Sequence, residues 1–366
     1  MVDRSNLGGP REGAQASACC ITRGLTSFSA DVRSTQCSPV TDPGRAKREG
    51  GSVIRLMRPF FIDTDTASDD AVALAIALRH PDITVVGIGV VAGNVPLDMA
   101  VQNALYTRHI CNRNDVPVYA GEAAPLAIPL ETAQYVHGVD GMGDIGLDLT
   151  GRTANEGDAV DALISASLEH AGELTLVTLG PLTNLARAIE RDSSIVTRIP
   201  RTVIMGAAAD HIGNVTPVAE FNMWADPLAV DIVVKSGLPI EFVGWDISRF
   251  YAVVDAEQAA ELRAIGTPLA EFCIDIQATV AEFCATETKL AGFDLPDPIT
   301  MAYAIDPTIA TRTRRLHVAV ETESELTRGM VLMDVLELGH NEPNALVVME
   351  ADNARFIAML RDTVTR

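Results

Sequence analysis

Cysteine is scarce in this chain of 366 residues. There are six, at positions 19, 20, 37, 111, 273 and 284, with no CxxC pair and no metal-ligand spacing. That excludes a disulfide framework and a thiolate metal module, and leaves free thiols in a reducing compartment as the expectation. Positive charge is also short: 28 Lys and Arg stand against 49 Asp and Glu, for a net charge of −21. A surface this acidic repels nucleic acid and anionic membrane, so neither is expected as a partner. No apolar run is long enough to cross a bilayer; the longest clean one, Ile83 to Ala92, falls well short of the roughly 20 residues required. No apolar signal-peptide region stands near the start. A soluble, cytoplasmic protein is the expectation.

What the chain does have is apolar content, 48% of all residues, enough for a sizeable core. Residues 1–58 differ from the rest. They carry nine basic and five acidic side chains, are rich in Gly, Ser, Pro and Arg, and show no sustained apolar period. Such a composition reads as disordered. Met57 then opens "MRPFFIDTDTASDD", which would start a compact protein on its first strand. Residues 1–56 are therefore expected to be a disordered or misassigned N-terminal extension, and residues 57–366 one folded domain.

From Pro59 onward short apolar strands alternate with helical periods. "RPFFID", "ITVVGIGVVA", "VPVYAG", "LTLVTLG", "RTVIMGA" and "PIEFVG" read as strands. "SDDAVALAIALRH" reads as a helix capped by Ser68, and "PLDMAVQNALYTRHI", "LTNLARAIERD", "DPLAVDIVVKSG" and "TPLAEFCIDIQATVAEFCA" as further helices. This pattern specifies an α/β fold, a mostly parallel central sheet flanked by helices in Rossmann-like fashion. "LHVAVET", "GMVLMDV" and "ALVVMEA" predict a small antiparallel addition near the C-terminus, followed by a last helix. Two long segments, 124–153 and 207–227, resist regular assignment and read as functional loops after strands, where open α/β sheets bind ligands.

The densest signal is "FFIDTDTASDDAVALAIAL". Asp63 and Asp65 end a strand two residues apart, which puts their side chains on one face roughly 6–7 Å apart. Asp69 and Asp70 open the next helix, where free N–H groups and the dipole favour anions. Any one of these is an ordinary cap or solvated acid. Four on one turn raise each other's pKa unless a cation is present, and a carboxylate-rich oxygen site selects Ca²⁺ or Mg²⁺. Two chemistries begin on such a turn. Haloacid-dehalogenase-type phosphatases use DxDx(T/V), but Ala67 stands where Thr or Val belongs. The other is nucleoside hydrolysis.

Here the sequence resembles the inosine–uridine-type nucleoside hydrolase family, whose mark is a strand followed by DxDPGxDD. "DTDTASDD" keeps all four aspartates and replaces Pro-Gly by Thr66-Ala67. "VVAGNVPLDMAVQNA", "VHGVDGMG", "TLGPLTNLA" and "GNVTPVAEFNMWADP" follow in the family's order, so the resemblance runs from about Arg58 to the C-terminus. It implies that Asp65, Asp70, Asp297 and the Leu179 carbonyl hold Ca²⁺, with Asp65 also the general base toward water. It implies that Asp69, Asn94 and Asn222 bind ribose hydroxyls, that Asn214 and Glu220 face the 5′-hydroxyl, and that Asp63 supports the site from behind. The substrate would be a small nucleoside and the assembly a homodimer or homotetramer. An oxocarbenium-like transition state suits this acidic set. Taken singly, Thr183 and Asn184 read as helix caps and Asn94 as a turn residue, whereas Glu220 has no evident structural need.

The match breaks at "GFDLPDP". The family's His-Asp-Pro supplies a proton to the leaving base, and here Pro296 occupies the His position. His137 is the candidate catalytic acid in its place; its other reading is a substrate contact or a loop-ordering residue. Tyr135, Trp224, Trp245 and Tyr251 are candidates to stack on a base. Two rivals stand beside a calcium-dependent nucleoside hydrolase: a sugar- or nucleoside-binding protein of this fold that has lost catalysis, and a Mg²⁺ phosphatase.

Overall fold

Side chains alternate across strand β1 (Arg58–Thr64), and that alternation divides the core. Phe60 and Ile62 belong to the apolar cluster on one face of the sheet, with helices Ser68–Arg79 and Pro296–Ile305. Phe61 belongs to the cluster on the other face, with helices Thr183–Arg191 and Pro227–Lys235. The computed structural model describes residues 57–209 and 213–366. The expectations for residues 1–56 lie outside the described residues.

Five more of the apolar segments become β2 (Ile83–Val90), β3 (Val118–Ala120), β4 (Thr175–Thr178), β5 (Arg201–Met205) and β6 (Ile240–Val243). A small pair follows, β7 (Val253–Val254) with β8 (Phe293–Asp294). The chain then adds β9 (Ala310–Leu316), β10 (Val318–Val320), β11 (Val331–Met333) and β12 (Ala345–Ala351). The main sheet runs β3-β2-β1-β4-β5-β6-β12-β9. Every pairing in it is parallel except that of β9 with β12. This is the expected mostly parallel α/β sheet, and all four residues of β4 are buried, as a sheet covered on both faces requires.

Two expectations are corrected, and one strand is added. "ALVVMEA" does not join the antiparallel addition; it is β12, which pairs parallel with β6 and extends the main sheet. Of the three segments, the two that become β10 and β11 form a separate small antiparallel sheet. The edge strand β9, "ATRTRRL", was not legible as a strand because its arginines face solvent, a charged edge that discourages pairing with another chain. The long helix read in "TPLAEFCIDIQATVAEFCA" is two helices, Pro268–Asp275 and Ala278–Phe283. Between them Gln277 is buried and its Nε2 donates to the carbonyl of Ser68 at 2.9 Å, so this break is tied to the start of another helix.

Helix Ser68–Arg79 is apolar on all sides beyond its first turn and buried from Ser68 to Leu78, as such a composition demands. It packs against helix Pro296–Ile305, which is buried from Asp297 onward. Pro296 occupies the first turn of that helix, where its missing N–H is harmless. Cys111, Cys273 and Cys284 are buried free thiols, as expected. Among the described residues no helix is long and apolar enough to cross a membrane.

Candidate active site

The order of the main sheet reverses at β1, which lies between β2 and β4. The carboxyl ends of β1 and β4 therefore border a crevice of the kind that receives ligands in open α/β sheets. The aspartate turn leaves β1 at this point. Residues 179–184 leave β4 beside it, and the Leu179 N–H donates to the Asp63 carbonyl at 2.8 Å.

Two buried helices begin here and aim their first turns at one spot. Asp69 and Asp70 lie in the first turn of Ser68–Arg79, and Asp297 in the first turn of Pro296–Ile305. Asp69, Asp70 and Asp297 each place an oxygen within 4.8 Å of the others, a grouping that could hold a metal ion. Asp65 comes from the strand side. Its Oδ2 accepts the Asn94 N–H at 2.7 Å, while its Oδ1 is buried without a partner, as is Oδ1 of Asp69. Gly93 and Gly180 flank Asp65 so closely that a Cβ at either would lie 2.1 Å from Oδ2 or 2.7 Å from Oδ1. The chain thus holds open a cradle around a carboxylate and leaves buried oxygens facing it, which fits a hard cation and fits an apolar core poorly.

Asp70 has structural work as well. Its Oδ1 accepts from Thr64 Oγ1 at 2.6 Å and its Oδ2 from the Ala67 N–H at 2.9 Å. The cap of this helix is Ala67, not Ser68 as the sequence suggested. The Ser68 hydroxyl instead meets Nδ1 of His137 at 2.9 Å. Asn184 and Thr183 do not cap their helix either. Asn184 Nδ2 donates to Asp63 Oδ1 at 2.8 Å, and Thr183 Oγ1 to Asp226 at 2.7 Å. Asp63 is thus held behind the site by a buried carboxamide.

The segment "GNVTPVAEFNMWADP" supplies the opposite wall. Glu220 does have a structural need, against the reading from sequence: its carboxylate accepts from the N–H groups of Ala207, Asn222 and Met223 and caps helix Phe221–Ala225. Asn222 Nδ2 donates to the Leu179 carbonyl at 2.7 Å, which leaves that oxygen its second lone pair. Asn214 Oδ1 accepts from the Phe221 N–H at 2.8 Å, and Asn94 Nδ2 lies 3.3 Å from Asp70.

Burial dominates the electrostatics. It pushes Asp63 up to about 7 and Glu220 to about 7, against opposing hydrogen bonds from Asn184 and from Asn222. Asp69 and Asp70 rise to about 6, chiefly from burial. Asp65 and Asp297 are raised further by burial and then by the Asp70 charge. His137 moves the other way, to about 4, because burial disfavours its charged form. It is neutral at pH 7.

A small cavity of about 90 Å³ opens onto this cluster. Asp69, Asn94, His137, Leu179, Asn214, Glu220, Asn222 and Asp297 all line it, and among the described residues no Lys or Arg does. Tyr135 and Trp245 line it and continue into an outer cavity, whereas Trp224 and Tyr251 do not; Trp224 lies instead beneath the Arg328 guanidinium, 3.7 Å from ring centre to carbon. The sequence reading missed Phe283, whose ring meets Tyr135 edge-on at 5.8 Å, and Asp294, a buried wall carboxylate that accepts from Ser248 Oγ at 2.7 Å. The one signal for Asp294 was its place three residues before Asp297 in "FDLPDP".

Known proteins resemble this chain in sequence and in fold. The family model described as inosine-uridine preferring nucleoside hydrolase matches residues 60–358. The chain is 35% identical over 314 residues to the pyrimidine-specific ribonucleoside hydrolase RihA of Shewanella sp. (strain ANA-3), covering 84% of this chain and 96% of that protein. Among solved structures it is similar to the plant nucleoside hydrolase PpNRh1, with 31% identity, a TM-score of 0.79, and coverage of 84% and 99%. It is similar too to the purine-preferring ribonucleoside hydrolase from Gardnerella vaginalis, with 29% identity, a TM-score of 0.78, and coverage of 84% and 98%.

Proposed function

Because the chain belongs to the inosine-uridine preferring nucleoside hydrolase family and is thus a hydrolase of ribonucleoside N-glycosidic bonds, we propose that it works with Ca²⁺. The observation that carries this is the convergence of Asp69, Asp70 and Asp297 at two helix starts, beside Asp65, at a cavity that no Lys or Arg lines among the described residues. Asp65, Asp70, Asp297 and the Leu179 carbonyl would hold the ion. Calcium, when bound, supplies positive charge among these carboxylates and polarises water.

The chain's own groups do the rest. Asp65 accepts the proton of the attacking water at its unpartnered Oδ1. Asp69, Asn94 and Asn222 hold ribose hydroxyls, and Asn214 and Glu220 receive the 5′ side. Asp63, fixed by Asn184, keeps the turn in place. As the C1′–N bond breaks, positive charge grows on the sugar and these carboxylates face it. His137, neutral at pH 7, stands at the cavity wall as a hydrogen-bond donor to the departing base. The phosphatase reading is set aside, since phosphate binding calls for cationic side chains and, among the described residues, none lines this inner cavity; Arg249 lines only the outer one. A homodimer or homotetramer remains part of the reading, to be checked by sedimentation.

The printed preferences of the relatives diverge, pyrimidine for one and purine for another. The test must therefore span both. Purified protein incubated with inosine, adenosine, guanosine, uridine and cytidine is expected to release ribose from at least one, with activity lost to chelator and restored by calcium. Ribose from none of them would favour a binding protein without catalysis. Gly93→Ala is expected to push Asp65 aside and lower turnover by about a hundredfold, since displacement of about 1 Å suffices for such a loss. Turnover within twofold of the parent would show that the cradle is not needed.

A further inference from the structure

Ser68 carries a hydroxyl where a helix start normally uses one as a cap, yet the first-turn needs are met without it. The Asp70 carboxylate takes the Ala67 N–H, and the Ser68 hydroxyl meets Nδ1 of His137 at 2.9 Å. Both partners are fixed. Ser68 is fully buried, and its carbonyl accepts from Gln277 Nε2 at 2.9 Å. His137 ends the short helix Gln134–His137; its N–H donates to the Ala133 carbonyl and its carbonyl accepts from the Gly143 N–H. The following loop is tied by the Asp144 carboxylate, which accepts the N–H groups of Val139 and Asp140. The next acidic atom, Asp69 Oδ1, lies 3.6 Å from Nδ1, beyond hydrogen-bond length.

We propose that Ser68 is a positioning residue for catalysis: its hydroxyl donates to His137 Nδ1, fixes the imidazole in the Nε2–H form, and aims that N–H at the departing base. The inference rests on the reading of the cavity as a nucleoside site. When the C1′–N bond breaks, its electron pair stays with the base nitrogen. A fixed N–H donor stabilises that charge, and the imidazole keeps its proton throughout, in the way a neutral histidine can act as an electrophile. With Pro296 where a side-chain donor would otherwise stand, the Ser68–His137 pair is a donor on this wall, which Tyr135 and Trp245 also line.

The test uses leaving groups of two kinds. Ser68→Ala is expected to lower kcat on a cleavable nucleoside by about tenfold or more with little change in KM. Turnover of p-nitrophenyl riboside, whose phenolate leaves without a donor, should stay within twofold and doubles as the folding control. In a His137→Ala background, Ser68→Ala should cost nothing further, because it acts through the imidazole. ¹⁵N NMR of the unaltered protein should show His137 as Nε2–H, a reading that needs no variant. Equal losses on both substrates, additive losses with His137→Ala, or an Nδ1–H imidazole in the parent would each overturn the proposal. If the parent cleaves no nucleoside, the proposed function fails on its own, while the NMR measurement still reports on Ser68.

Discussion

Asp65→Asn is expected to lower ribose release by about a thousandfold, the scale of losing a general base that also faces the ion, without loss of fold. The two effects separate for a physical reason. Asp65 is fully buried, raised by burial and by Asp70, and its Oδ1 has no hydrogen-bond partner. A carboxamide can keep the bond from the Asn94 N–H on its oxygen and turn its NH₂ toward the neighbouring carboxylates. It removes a carboxyl whose ionised form burial and the Asp70 charge disfavour. The chelated variant should therefore melt at or above the parent's temperature, a trade of stability against activity common at functional sites. Circular dichroism on heating, beside a ribose assay, reads both. A variant that loses activity only by unfolding would contradict this role for Asp65.

The chelated protein is expected to lose stability as pH rises from about 4 to about 7. Asp69 and Asp70 stand at about 6 and Asp63 at about 7 in the folded chain, against 3.8 for the ordinary aspartate. Folded values above unfolded ones mean that the folded state holds protons which the unfolded state has already released across this window. Raising pH strips those protons and leaves buried like charges, so stability falls. A carboxyl moved from 3.8 to about 6 contributes on the order of 3 kcal/mol. Calcium should reverse the loss at pH 7.5. An ion at a thousand times its Kd adds about 4 kcal/mol, or roughly 10 °C in Tm for a chain of this size. Thermal melts at pH 5 and 7.5, with chelator and with calcium, test this. A chelated protein that is more stable at pH 7.5 than at pH 5 would refute it.

Much of the fold could be read from the chain because buried parallel strands write themselves as unbroken apolar runs. β1, β2, β4, β5 and β6 all did so. β9 did not, since an edge strand can be mostly arginine and threonine, and β12 was legible as a strand but not in its pairing, which depends on contacts with β6 far away in sequence. The same division holds at the site. Four acids on one turn were visible as a charge conflict, and the structure brings two of them to Asp297, more than 200 residues on. Side-chain partners chosen by the fold were not visible. Asn184 reaches Asp63 across 121 residues, Ser68 reaches His137 across 69, and Glu220 caps a helix too short to show a period. Nothing in a local pattern distinguishes a serine that caps its helix from one turned to a histidine on another loop.

The most direct measurement titrates calcium into chelator-stripped protein while recording ribose release from a nucleoside that it cleaves. Activity is expected to rise from none to a plateau at one ion per chain. Full activity before any calcium is added would contradict it.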